Sequence, residues 1–214
     1  DANTTGNNNM AMGNSALGSN TTADNNTAVG ALALTANTTG HSNTAVGYNS
    51  LAANTTALYN TAVGRNAMDV TTTGGNNVAV GYDALGKNVS DVANTAVGYA
   101  ALEDANGSGF CTAMGYAAGK DLTTGDNNLC LGYNAGASAS PSGTLTTESN
   151  EICLGNDAIS QAHIQVDWTV ASDQRDKTDF TALDVGLDFV KALEPVTYKW
   201  DKRSKYAEEG DDLD

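Results

Sequence analysis

The stretch that decides the fold is N-T-A-V-G-A-L-A-L at residues 26–34, because the chain repeats it at a fixed interval. The glycine of this motif returns every 17 residues, at positions 13, 30, 47, 64, 81, 98, 115 and 132. A further copy, E-I-C-L-G-N-D-A-I from Glu151, follows after 23 residues, so six extra residues enter near 137–150, a segment that contains Pro141. Such a short internal period predicts a repeat architecture.

A 17-residue unit is too short for a helical hairpin, and its apolar residues show no helical period. The unit favours one coil of a β-solenoid, in which short strands are separated by Asn, Gly and Thr corners. In the strand T-A-V, Ala28 and Val29 point to opposite faces. We expect one of these apolar faces to pack inside a narrow coil and the other against a neighbouring chain. Asparagine at a fixed corner tolerates a left-handed backbone, and stacked asparagines form hydrogen-bonded ladders.

Composition narrows the function. The chain has 10 Lys+Arg against 25 Asp+Glu, a formal net charge of −15, and only 6% aromatic residues. This balance excludes a phosphate-binding surface, so we predict no nucleic-acid partner. No apolar run reaches the roughly 18 residues needed to cross a bilayer, which predicts no membrane insertion. Each coil also supplies few large apolar residues to a core, so we expect several chains to associate, as a homotrimer.

The sequence changes character after about residue 160. Alternating apolar residues in 163–170 predict a strand, and Thr181 begins a helix that Pro195 limits. Alternation in 196–200 predicts a second strand. The predicted fold is therefore all-β: a repetitive β-solenoid of 17-residue coils over 1–160, trimeric, followed by a small α+β segment over 161–214.

Two parts of the chain resemble known families. The N-T-A-V-G repeats resemble those of trimeric autotransporter adhesin heads and of phage or algal-virus fibre proteins. The run S-D-Q-R-D-K at 172–177, followed by L-E-P-V-T-Y-K-W at 193–200, resembles the start of the S74 peptidase family. That family is the C-terminal intramolecular chaperone of endosialidases, tail spikes and tail fibres.

The S74 resemblance implies a Ser–Lys dyad. Ser172 would be the nucleophile and Lys177 its base, with cleavage between Ala171 and Ser172. A serine hydroxyl becomes nucleophilic when a neighbouring group removes its proton, and a lysine does so when its pKa is lowered. The alternative is an ordinary polar turn between a strand and a helix. The implied activity is at most one self-cleavage, without a cofactor, and we expect no activity on other substrates.

The resemblances imply a virion tail fibre, outside the cell, that binds a glycan or protein receptor on the host surface. Because the coils are nearly identical, a register slip of 17 residues between chains would cost little free energy. The C-terminal chaperone would remove this ambiguity by directing trimerisation. The alternative is a trimeric adhesin on a bacterial cell surface. S74 domains usually continue further, so we expect the chain to be a fragment of a longer fibre. We reject a glycan-degrading enzyme, since the repeats lack a separated carboxylate pair and Glu103 and Asp104, as strand neighbours, would point to opposite faces.

Three further groups of side chains are candidates for binding or cross-linking. A tyrosine follows the repeat glycine in five coils, and an arginine, Arg65, takes this position in another. These tyrosines are either an outward ladder for receptor binding or residues that stack on one another or at a seam between chains: Tyr48, Tyr82, Tyr99, Tyr116 and Tyr133.

Cys130 and Cys153 share the repeat position of Ala28, so they stack in adjacent coils as buried thiols or as a disulfide. Cys111 falls at a different repeat position. Because the three cysteines lack metal-ligand spacing and the two histidines, His41 and His163, are far apart, we predict no metal site.

Overall fold

The computed structural model describes residues 3–138, 140 and 143–163. The chain forms two units, Asp1–His163 and Ile164–Asp214. The predicted strand–helix–strand segment, Ala171, Ser172 and Lys177 lie outside the described residues. Pro141 in the insertion does as well.

The described part of the first unit is a parallel β-solenoid, which confirms the predicted all-β solenoid of 17-residue coils. Each strand pairs in parallel with the next one along the chain, so the sheet order is the sequence order from β1 to β9. Partners such as Ala28 and Ala45 lie one 17-residue coil apart. The nine strands are β1 (Met10–Met12), β2 (Thr27–Val29), β3 (Thr44–Val46), β4 (Thr61–Val63), β5 (Val78–Val80), β6 (Thr95–Val97), β7 (Thr112–Met114), β8 (Leu129–Leu131) and β9 (Ile152–Leu154).

The core is narrow and consists mainly of alanine and leucine. In the second coil the buried residues Ala28, Ala33 and Leu34 fill it, and equivalent residues stack in the other coils. Val29 lies on the opposite, outward face of the same strand and is half-buried. The sequence leaves open which strand face is internal, and the structure assigns the interior to the alanine.

One ladder of asparagines runs along the inside of the coils. The Asn26 side-chain oxygen accepts a hydrogen bond from the backbone N–H of Asn43 at 2.9 Å, one coil further on. Its side-chain nitrogen donates to the carbonyl of Gly40 at 2.9 Å. Both ends of the buried amide are therefore paired, as a buried polar group requires. Similar bonds are made by Asn9, Asn43, Asn60, Asn77, Asn94 and Asn128.

Cys111 takes the place of asparagine in this ladder. Its sulfur donates to the carbonyl of Gly125 at 3.2 Å and accepts from the backbone N–H of Asn128 at 3.5 Å. The odd repeat position of this cysteine in the sequence thus has a structural reason, because the thiol continues the ladder with weaker bonds.

Left-handed backbone recurs at three positions in most coils, as at Asn25, Leu32 and Leu34, and the sequence does not single these positions out. The ladder asparagines are not left-handed. The residue before each is, and it varies in type, as Asn25 (φ 59°), Tyr59 (φ 61°) and Phe110 (φ 60°) illustrate.

The repeat glycine is required by the close approach of successive coils. Gly64 has φ 143°, and a Cβ on it would overlap the carbonyl group of Gly81. The fixed period of this glycine therefore reflects backbone stacking.

The solenoid continues across the segment that holds the six extra residues. The backbone N–H of Leu145 donates to the carbonyl of Gly136 at 3.0 Å. Leu145 is buried in the core, and Thr123 donates to Thr146 at 2.7 Å, as in the regular coils. Strand β9 then pairs in register with β8. The register of the sheet is thus kept across the insertion.

Candidate functional site

The tyrosines that follow the repeat glycine form a continuous column on the outside of the solenoid. We call the column of Tyr48, Arg65, Tyr82, Tyr99, Tyr116 and Tyr133 the Tyr–Arg column. The rings of Tyr82 and Tyr99 are stacked at a centroid distance of 5.2 Å, and those of Tyr99 and Tyr116 at 4.8 Å. Tyr116 and Tyr133 stack at 5.5 Å. The spacing follows from the separation of parallel strands.

Arg65 continues the column. Its guanidinium carbon lies 5.8 Å from the ring centre of Tyr48 and 5.6 Å from that of Tyr82. Each contact lies within the range of a cation–π interaction. The sequence marks Arg65 only as a replacement for tyrosine. A planar guanidinium stacks on aromatic rings, and this property is the signal that identifies Arg65 as part of the same column.

The stacking determines what the column presents to solvent. The five tyrosines are between 36% and 58% exposed, but the faces of Tyr99 are covered by Tyr82 and Tyr116. Such rings offer their edges and hydroxyl groups, and not their faces, to another molecule. The charge of Asp83 raises the pKa of Tyr82. The column is thus a row of phenol groups suited to hydrogen bonding.

A second exposed surface is the outward face of the sheet. We define the outer sheet face as the first and last residue of each strand from β1 to β9, eighteen positions that carry Thr, Val, Met, Leu or Ile and no charge. The largest exposures lie at its two ends, where Met12 is 64% exposed and Ile152 is 61% exposed. A contiguous apolar surface of this kind indicates an interaction site.

The carboxylates of the sixth coil are engaged with lysines. Asp104 pairs with Lys87, and Glu103 pairs with Lys120 at 3.3 Å. These hydrogen bonds raise the pKa of both lysines. The sequence predicts Glu103 and Asp104 to be strand neighbours, but in the structure the two residues lie in a turn. Paired at the surface with lysines, they do not form the separated carboxylate pair of a glycosidase.

The stacked cysteines lie as predicted. Cys130 in β8 and Cys153 in β9 are register partners, and both are buried. No disulfide joins the cysteines of the described residues. Burial, together with the nearby Cys153 and Cys111, raises the pKa of Cys130 to about 12. This thiol is therefore protonated at neutral pH and is a core residue.

Other candidate centres are absent from the part of the chain that the structure describes. No group of His, Cys, Asp and Glu there could hold a metal ion. His41 packs edge-on against Tyr59 at 5.6 Å, and His163 is exposed. A concavity of about 150 Å³ at the first coil has no ionisable group in its lining, which consists of Asn3, Asn9, Ala11, Ala16, Leu17 and Asn20.

Comparison with known proteins finds a family match in the C-terminal part of the chain. Residues 172–213 match the Peptidase_S74 family, described as the chaperone of endosialidase. No curated protein and no solved structure matched the chain. Within the described residues, no helix has the length and hydropathy to cross a membrane. The match begins at Ser172, the residue at which the sequence motif begins, and covers the segment that follows the solenoid. The C-terminal segment of this chain is thus similar to the chaperone of endosialidase, and the parallel β-solenoid that precedes it in the sequence is consistent with a tail-fibre-like repeat protein.

Proposed function

We propose that this chain is a structural and receptor-binding fibre of a virus or phage tail, a homotrimer exposed on the virion. The observation that carries the proposal is the chaperone-family match at 172–213 directly after a repetitive solenoid. Strands β2, β3, β4 and β6 have the same sequence, T-A-V, so many pairings between chains are nearly equivalent. A C-terminal trimerising segment removes that ambiguity before the coils associate.

The proposal includes a single self-cleavage by Ser172 and Lys177. Neutral Lys177 takes the proton of the Ser172 hydroxyl as its oxygen attacks the carbonyl carbon of Ala171. The C–N bond breaks, the amine of Ser172 receives the proton from Lys177, and an ester remains. Water then hydrolyses the ester, which leaves a carboxylate on Ala171 and restores the hydroxyl. The solenoid is released from the chaperone after assembly.

The mass of the assembled protein tests both parts. The full-length gene product and its Ser172→Ala and Lys177→Ala variants are measured under native and denaturing conditions. We expect a native trimer whose wild-type chains end at Ala171, and uncleaved trimers from both variants. Ser160→Ala is the matched control, because Ser160 is an exposed serine in the described region, and it should be cleaved as in the wild type. An uncleaved wild-type trimer would overturn the dyad, and a stable monomer would overturn the fibre.

We further propose that the Tyr–Arg column contacts the receptor. Support comes from its exposure and from the regular row of phenol hydroxyls, which matches a polar, repeating partner such as a glycan chain. Self-stacking alone also accounts for the ring geometry. The two roles are compatible, because rings held by their neighbours lose little conformational entropy when a ligand binds.

A further inference from the structure

We propose that part of the Tyr–Arg column is a site of oxidative cross-linking within one chain. The site is the tyrosine run, which we define as Tyr82, Tyr99, Tyr116 and Tyr133. A one-electron oxidant, such as a peroxidase with hydrogen peroxide, joins neighbouring rings of the run through a carbon–carbon bond, as dityrosine. Each bond ties one coil of the solenoid covalently to the next. The proposal does not depend on the receptor or on the trimer, because it concerns contacts inside a single chain.

The geometry of the stack is the first argument. The rings of Tyr99 and Tyr116 lie with centroids 4.8 Å apart and planes 6° from parallel, and those of Tyr82 and Tyr99 at 5.2 Å and 7°. Tyr133 extends the stack from Tyr116 at 5.5 Å and 26°. Two tyrosyl radicals couple only when their rings meet. Here the fold holds the rings together, and reacting groups held in place combine far faster than groups that must find each other by diffusion.

The reaction balances with the oxidant named. Each of two phenols gives up one electron and one proton, which leaves two phenoxyl radicals. A carbon–carbon bond forms between the ring carbons next to the two oxygens. The hydrogen on each bonded carbon then moves to the oxygen of its own ring, which restores both phenols. Hydrogen peroxide takes up the electrons and protons and becomes water, so the chain loses a pair of hydrogen atoms for each bond.

Access to the oxidant is the second argument. All four rings of the run are exposed, so an oxidant in solution reaches them. Thiols reduce phenoxyl radicals readily, but the three cysteines of the described residues, Cys111, Cys130 and Cys153, are buried in the core. Thiols in this part of the chain therefore do not compete with the rings at the surface.

The column also contains a natural boundary to the site. Arg65 occupies the tyrosine position between Tyr48 and Tyr82, so these two tyrosines are two coils, roughly 10 Å, apart. Tyr48 packs against the Arg65 guanidinium, and the exposed Tyr59 packs against a histidine ring. Among the described residues, neither Tyr48 nor Tyr59 stacks on another tyrosine. These two exposed phenols are therefore matched controls for the run.

Two double variants test the site. Tyr99→Phe with Tyr116→Phe leaves Tyr82 and Tyr133 three coils apart, so the run keeps no neighbouring pair of phenols. Tyr48→Phe with Tyr59→Phe removes the same number of exposed phenols but no neighbouring pair. The wild type and both variants are treated with a peroxidase and limiting hydrogen peroxide, and dityrosine is measured by its fluorescence. We expect the first variant to lose most of the signal, several-fold, and the second to match the wild type. Phenylalanine keeps each ring in the stack, so both variants should fold.

Peptide mapping identifies the bonds. We expect linked peptides that join Tyr99 to Tyr116 and Tyr82 to Tyr99, from protein that runs as a single chain on a denaturing gel. Peroxide also oxidises exposed methionines such as Met114, but that reaction adds an oxygen atom, so mass separates the two products. Tyr198 and Tyr206 lie outside the described residues and stay in every variant, and mapping separates their products from those of the run. A wild type without dityrosine, equal signal in both double variants, or bonds between chains alone would overturn the proposal.

A covalent tie between coils should also change unfolding. Each bond closes a loop of one coil, which restricts the unfolded chain and so favours the folded one. The oxidised wild type should therefore unfold at a higher guanidinium concentration than the untreated protein. The oxidised Tyr99→Phe and Tyr116→Phe double variant should unfold like its untreated form. An unchanged midpoint in wild-type protein that carries the mapped bonds would overturn their role in tying the coils together.

Discussion

At the residue scale, the buried asparagines of this solenoid have a structural role, which their side-chain hydrogen bonds define. A second ladder joins Asn20, Asn37 and Asn54, where each side-chain nitrogen donates to the side-chain oxygen one coil earlier, at 2.9 Å for Asn37 and 2.8 Å for Asn54. Thr71 follows and breaks it. Among the described residues, the side-chain oxygen of Asn54 and the side-chain nitrogen of Asn88 then have no hydrogen-bond partner. The two unpaired atoms lie on either side of Thr71.

Thr71→Asn should repair this ladder and stabilise the solenoid. The new amide would accept from Asn88 and donate to Asn54, at the expense of the Thr71 hydroxyl bond to the carbonyl of Asn88 at 2.8 Å. We expect a net gain of about 1 kcal/mol, because leaving buried polar atoms unpaired is costly. Thermal unfolding measures it, with Thr73→Asn, an exposed threonine of the same corner, as control. If both variants melt like the wild type, the ladder argument is wrong.

The sequence predicts the hydrogen-bond ladder, because the asparagine side chain repeats at a fixed interval. It does not predict which residues have a left-handed backbone. The asparagine period predicts a ladder, and the structure confirms it. The left-handed corners could not be assigned, because they fall on residues as different as Asn25, Tyr59 and Phe110. Their conformation is imposed by the stacking of the coils and not by local preference.

At the scale of the strand, the pair β8–β9 brings two buried cysteines next to each other in the core. Cys130 occupies the inward position that alanine holds in earlier strands, next to Cys153. Burial raises the pKa of Cys130 from 9.0 to about 12. A raised pKa in the folded state means that the protonated thiol contributes stability in full below pH 9, and that this contribution is lost as the pH rises toward 12.

Cys130→Ala should therefore reduce the decrease in folding stability that occurs as the pH rises above 9. Thermal midpoints of the wild type and the variant are compared from pH 7 to above pH 9. The variant is less stable by a constant amount at lower pH, because a buried sulfur is missing. The difference between the two should narrow above pH 9, since only the wild type must keep this thiol protonated. Parallel curves over the whole range would show that Cys130 does not titrate against folding.

The Tyr–Arg column is the element on which the receptor proposal depends. Tyr99→Ala and Tyr116→Ala interrupt the row of hydroxyls in its middle, whereas Tyr59→Ala removes an exposed tyrosine that lies outside the column. On a glycan array we expect the first two variants to lose binding and Tyr59→Ala to bind like the wild type. Retained binding by Tyr99→Ala and Tyr116→Ala would leave the column with a stacking role alone.

The elements were more predictable than their surfaces. The 17-residue period predicts the coil, its length and the parallel stack, because a repeated glycine and a repeated T-A-V strand admit few other folds. The sequence did not decide whether Ala28 or Val29 faces inward, since both are apolar. The structure settles this, because Ala28 is buried in the core with Ala33 and Leu34, whereas Val29 lies on the outward face.

At the scale of the whole molecule, the proposed function depends on the order in which chains associate and are cut. A trimer that forms with the chaperone attached and then loses it cannot return along the same path, so its stability becomes kinetic. The nearly identical middle strands make unaided reassembly prone to slipped pairings. The proposed cleavage therefore converts a reversible assembly into a permanent one.

Refolding of the full-length gene product tests this directly. Wild type, Ser172→Ala and the Ser160→Ala control are unfolded in guanidinium and diluted, and trimer recovery is measured by size exclusion. We expect Ser172→Ala to recover trimers, because its chaperone is still attached, and the other two proteins to aggregate or remain unassembled. Equal recovery of trimers by cleaved and uncleaved chains would mean that the solenoid finds its register without the C-terminal segment.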